Sequence, residues 1–100
     1  MAVGMLLAGE GVTKDVYAAL TEKMFGNYPM REDQAPKGLI VHTAGETAAG
    51  WYIFDIWNSQ EQFEQFMADR IRPAAAELGA ETPMKPVYYP IETIVKGSAL

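Results

Sequence analysis

The chain has 100 residues, 49% of them apolar and 11% aromatic, which is enough for one packed core and too little for two, so we expect one domain over residues 1–100. Thirteen acids against eight bases give a net charge of -5, and the bases are scattered from Lys14 to Lys96, so neither nucleic acid nor a membrane is an expected partner. The lack of cysteine excludes disulfides, a thiolate nucleophile and iron–sulfur or zinc–thiolate sites, and a single histidine limits metals further, so no metal is expected.

Ala2 to Ala8 is a short apolar run closed by Gly9, Glu10 and Gly11, which fits a buried first strand. It lacks a basic start and meets Glu10 too early for a secretory segment, so a cytoplasmic location is expected. Thr13 is placed to cap a first helix whose apolar stripe is Val16, Ala19, Leu20 and Met24, with Gly26 as its stop. Residues 27–37 hold two prolines and little periodicity, which predicts a surface connection and makes it a candidate lid.

Leu39 to Thr43 and Trp51 to Trp57 are β-branched and aromatic, with Gly45 to Gly50 as the turn of a hairpin. Ser59 and Gln62 form a capping box for a second helix with the stripe Phe63, Phe66, Met67, Ile71, Ala74 and Leu78, in which Pro73 predicts a kink. Val87 to Val95 is the last strand, confined by Pro90 to a sheet edge or a bulge. The order β-α-β-β-α-β predicts an α+β, ferredoxin-like fold with a four-stranded antiparallel sheet and both helices on one face. Leu39, Val41, Tyr52, Phe54 and Ile56 would leave a large apolar patch on the other face, so a homodimer packed sheet against sheet is expected. Tyr88 and Tyr89 are assigned to the same interface.

A turn centred between Thr47 and Ala48 would set His42 opposite Ile53 and Ile40 opposite Asp55. His42 and Asp55 are then diagonal neighbours on one face, roughly 7 to 8 Å apart at the backbone and within side-chain reach. One reading is a proton-transfer dyad in which Asp55 fixes the imidazole tautomer and His42 acts as base. The other is a structural pair whose members satisfy each other inside the core, or an odd turn that separates them. Tyr28 and Arg31 in the long connection are read as solvated or as dimer contacts. Ser59 is a cap rather than a nucleophile, and Glu61 with Glu64 belongs to a solvated helix face.

The run Gly38-Leu-Ile-Val-His42, followed by Tyr52-Ile-Phe-Asp-Ile-Trp57-Asn-Ser-Gln-Glu-Gln-Phe63, resembles the dimeric α+β barrel superfamily, in particular its antibiotic-biosynthesis monooxygenase-like branch. The carrying motif is Trp-x-Ser-x-x-x-Phe. The resemblance implies a small cofactor-independent enzyme acting on an aromatic or polyketide-type molecule in a pocket between sheet and helices. It also implies that the junction residue Trp57 lines that pocket, with Ile53, Phe63, Phe66 and Ile40 as further ligand-lining candidates. In that branch an asparagine and a tyrosine stand where this chain has Ile53 and Phe63. The heme-degrading relatives need an axial histidine and a tryptophan on the second helix, where this chain has Ala76 and Phe66, so heme is not expected. The alternative is a noncatalytic dimeric barrel that binds a small apolar ligand.

Overall fold

The hairpin register decides which side chains meet in the middle of the sheet. In the computed structural model, which describes residues 1–9, 11–80 and 85–99, strands β2 (Leu39–Thr47) and β3 (Gly50–Trp57) are joined by only Ala48 and Ala49. Thr47 holds this turn, accepting from the Ala49 amide and donating to the Gly50 carbonyl, both at 3.1 Å. The strands are longer than their composition indicated, and the pairing is displaced by two residues from the expected register. His42 stands directly opposite Asp55, and Gly45 is a strand residue beneath the Tyr52 ring, not part of the turn.

Strand β1 (Val3–Ala8) pairs antiparallel with β3 on one side and with β4 (Val87–Pro90) on the other, giving the sheet order β2-β3-β1-β4. The fold is thus α+β and ferredoxin-like, as the element order predicts. Of the turn that closes β1, Glu10 lies outside the described residues. Strand β4 is an edge strand, as Pro90 requires, but it ends at that proline instead of continuing to Val95. Proline donates no ladder hydrogen bond, and after it the Ile91 amide reaches back to the Ala2 carbonyl at 3.0 Å.

Helix α1 (Lys14–Phe25) starts where Thr13 Oγ1 accepts from the Val16 amide and stops at Gly26, whose φ of 81° suits glycine. Ala19 is exposed, contrary to the expected stripe; Thr21 takes the inward place beside Leu20. Helix α2 (Gln60–Phe66) is capped by the Ser59 hydroxyl. The kink foreseen at Pro73 takes the form of a π-helical turn, Met67–Ile71, before α3 (Arg72–Leu78), with the Arg72 amide bonded five residues back to Met67. The wider turn relieves the clash between the proline ring and the preceding carbonyls. Leu78, in the last turn, lies outside the buried stripe and Ala75 is inside it.

All three helices lie on one face of the sheet. Met5, Leu7, Trp57, Phe63 and Met67 form the core between β1, β3 and α2, and Leu20, Ala74 and Ala75 a second one between α1 and α3. Leu39 belongs to the helix side, not to the outer patch, because the register shifts between Leu39 and Val41. Tyr88 is likewise turned inward, edge-on to Phe63 at 6.2 Å between ring centres, so only Tyr89 of that pair faces out. Arg70 ties the π-helical turn to the end of α1, donating to the Met24 carbonyl at 2.7 Å and lying over the Phe25 ring. Among the described residues no helix is long and apolar enough to cross a membrane.

Candidate functional site

Directly opposed residues of an antiparallel pair have Cβ atoms about 5 Å apart, so His42 and Asp55 meet without an intervening water. His42 Nδ1 lies 2.7 Å from Asp55 Oδ1. The indole nitrogen of Trp57, two residues on and therefore on the same face, donates to Asp55 Oδ2 at 3.1 Å. Both carboxyl oxygens are thereby satisfied, which is what allows Asp55 to sit 4% exposed at the floor of the core.

The other imidazole nitrogen meets a residue that the sequence pattern did not single out. Tyr17, from α1, places its hydroxyl 2.5 Å from His42 Nε2. Its ring stacks on the imidazole at 5.9 Å and meets the Tyr28 ring edge-on at 5.8 Å. A hydrogen-bonded row, Tyr17–His42–Asp55–Trp57, thus runs from the helix layer into the sheet. A carboxylate only accepts, so Nδ1 carries a hydrogen; in the neutral imidazole Nε2 is then the acceptor for the Tyr17 O–H. Trp51 also packs on Tyr17, 5.4 Å between ring centres, and its buried Nε1 has no hydrogen-bond partner among the described residues.

Burial, followed by the negative potential of Tyr28 and Asp55, pushes the Tyr17 phenol up to about 12. It keeps its proton throughout the neutral range and remains a donor. Tyr88 is also pushed up to about 12, by burial and then by Glu64 beside it. Since the unfolded phenols release their protons near 10.0, the unfolded chain binds fewer protons than the folded one between that value and about 12. Stability therefore falls as pH rises through that window and is unaffected below it. The Tyr17→Phe variant should show a shallower alkaline fall in melting temperature than the parent; identical slopes would show that Tyr17 does not carry this dependence.

The row borders a partly open cavity of about 90 Å³ between the sheet and the helices. Its walls include the sequence candidates His42, Asp55, Ile53, Trp57, Phe63 and Phe66, together with Tyr17. Ile40 is not among them. It falls at the irregularity in β2, is 46% exposed, and Leu39 lines the cavity instead. The connection over residues 26–38 contributes Met30 and Pro36 to the wall. Side chains tie it down: Gln34 donates to the Phe25 carbonyl and to Asn27, and Arg31, which precedes a short 3₁₀ turn, Glu32–Gln34, pairs with Asp33. Arg31 does not line the cavity. Among the described lining residues Asp55 is the only acid and no lysine or arginine accompanies it, so the chamber is largely apolar, with its ionisable side chains, Tyr17, His42 and Asp55, gathered at one corner.

This sheet, helix layer and interposed cavity place the chain in a fold class already seen in solved structures. One is an antibiotic biosynthesis monooxygenase-like protein from Deinococcus radiodurans, with 14% identity, TM-score 0.57, and 96% of this chain and 97% of that one covered. A second, Rv0793 from Mycobacterium tuberculosis, has 15% identity and TM-score 0.57, covering 95% and 97%. A variant of SnoaB, a cofactor-independent oxygenase from Streptomyces nogalater, has 13% identity and TM-score 0.53, covering 96% of both chains. At these identities the likeness establishes the fold, not the chemistry. No protein-family model matches the chain, and no curated protein matches it in sequence.

Proposed function

We propose that the chain is a small cofactor-independent enzyme that removes a proton from an aromatic or polyketide-type molecule held in the cavity. The observation that carries this reading is the Tyr17–His42–Asp55 row at one corner of a largely apolar chamber. His42 Nε2 is the base, and Asp55 holds the tautomer and balances the imidazolium that forms. Proton removal is the step common to a cyclase, whose enolate attacks a second carbonyl of the same molecule, and to an oxygenase, whose carbanion meets dioxygen. Trp57, Ile53, Phe63 and Phe66 form the apolar seat, with no part for Ile40. SnoaB, a cofactor-independent oxygenase that shares this fold at 13% identity, supports the reading of a cofactor-independent enzyme. The outer sheet face is proposed as the contact of a homodimer, and the working location as cytoplasmic.

Acetylacetone, a small enolisable diketone, provides the test. The protein should accelerate exchange of its central hydrogens for deuterium, followed by NMR, and His42→Ala should lower that acceleration by about 100-fold. Exchange at the background rate with the unchanged protein, or a rate indifferent to His42, would leave a noncatalytic binding barrel as the better account.

A further inference from the structure

Tyr17 Oη and His42 Nε2 are 2.5 Å apart, too close for a third heavy atom to lie between them. Any substrate atom that gives its proton to Nε2 must first displace the Tyr17 hydroxyl. That hydroxyl is half-buried beside aliphatic and aromatic walls, so leaving Nε2 requires another acceptor within reach. The ligand's own oxygen is in the right place to be that acceptor. A ligand that arrives already ionised suits the corner poorly, because it has no proton to give Nε2, Asp55 is close behind, and among the described residues no lysine or arginine lines the cavity.

We propose that Tyr17 exchanges its hydrogen bond from His42 to the substrate's oxygen, and that the site thereby selects neutral phenols and enolisable ketones over carboxylates. This rests on the reading of His42 as a base. The proton balance is closed without an oxidant. The ligand's O–H or α-carbon proton passes to Nε2, and its electron pair stays on the phenolate or enolate oxygen. The Nδ1 hydrogen remains with Asp55, and the new oxyanion accepts the Tyr17 O–H. The high pKa of Tyr17 keeps it a donor in both states.

The probe is p-nitrophenol, whose absorbance distinguishes bound phenol from bound phenolate, compared with p-nitrotoluene and p-nitrobenzoate. At a pH below the probe's own titration, the unchanged protein should bind it as phenolate, bind p-nitrotoluene measurably, and bind p-nitrobenzoate weakly. Tyr17→Phe should weaken p-nitrophenol by about tenfold and lower its phenolate fraction, while leaving p-nitrotoluene unaffected. His42→Gln should bind the probe as neutral phenol. In the unchanged protein, adding p-nitrophenol should also shift the Nε2 resonance of the single imidazole, a reading independent of any variant's folding. Equal affinity and phenolate fraction in Tyr17→Phe, or p-nitrobenzoate bound as tightly as the phenol, would overturn the proposal for Tyr17 and leave the His42 base standing, whereas an unmoved Nε2 resonance would overturn both. Phenolate bound equally by His42→Gln would overturn the base itself, and the proposed function with it.

Discussion

Replacing Asp55 by alanine should lower the unfolding free energy by about 2 to 3 kcal/mol, because it strips the partner from a buried and a part-buried donor at once. The Trp57 indole N–H, on a side chain only 1% exposed, loses its acceptor, and His42 Nδ1 loses the group that fixes its hydrogen. For a domain of this size that corresponds to a melting temperature lower by roughly 10 to 20 °C. Deuterium exchange into acetylacetone should collapse as well. Asp55→Asn separates the two effects. An amide oxygen can still accept from one of the two donors, so the stability loss should shrink to about 1 kcal/mol. Its NH₂ group, however, donates, which drives the imidazole hydrogen from Nδ1 to Nε2 and removes the base. The asparagine variant should therefore be nearly as stable as the parent and as inactive as His42→Ala. An asparagine variant that retained the parent's exchange rate would show that Asp55 serves only to hold the core together.

What the sequence disclosed about this site and what it concealed divide along a physical line. Features set by a few neighbouring residues were legible: the Thr13 and Ser59 caps, the Gly26 stop, the edge position of β4 at Pro90, and the joint from Trp57 through Ser59 to Phe63. Turn placement was not, because Ala48 and Ala49 carry none of the usual turn chemistry while Gly45, a strand residue, does. The error moved the pairing by two residues and so left His42 and Asp55 on one face, which is why their contact survived it. An irregularity at Ile40 has no signature in Leu39-Ile-Val-His42, and it exchanged Ile40 for Leu39 at the cavity. Tyr17 was hidden for a different reason. It flanks the apolar stripe of α1, and its partner is 25 residues away on β2, so only the packing of helix on sheet brings them together. The one local hint is Tyr17 with Thr21, a second row at helical spacing, joined by a hydrogen bond from the Thr21 hydroxyl to the Tyr17 carbonyl.

Changing Ile56 to lysine should convert a dimer of the 11.0 kDa chain into a monomer. All three helices cover the face that carries Met5, Asp55 and Trp57, so Leu6, Val41, Phe54 and Ile56 occupy the opposite one. Phe54 lies over Gly4, and Val87 and Tyr89 of the edge strand extend the same surface at 48% and 47% exposure. A contiguous apolar face of this kind needs a cover, and a second copy brings an identical one related by a two-fold axis. Ile56 belongs to an interior strand of the sheet, where a lysine would put an unpaired charge between two apolar surfaces. Ala19→Lys, on the exposed side of α1, is the control for added charge alone. Light scattering should give a dimer for the parent and for Ala19→Lys, and a monomer for Ile56→Lys. The parent's melting temperature should also rise with protein concentration, a dependence lost in the variant. A monomeric parent at micromolar concentration would overturn the sheet-to-sheet dimer. A dimeric Ile56→Lys would place the contact elsewhere and leave the outer face free for a different partner.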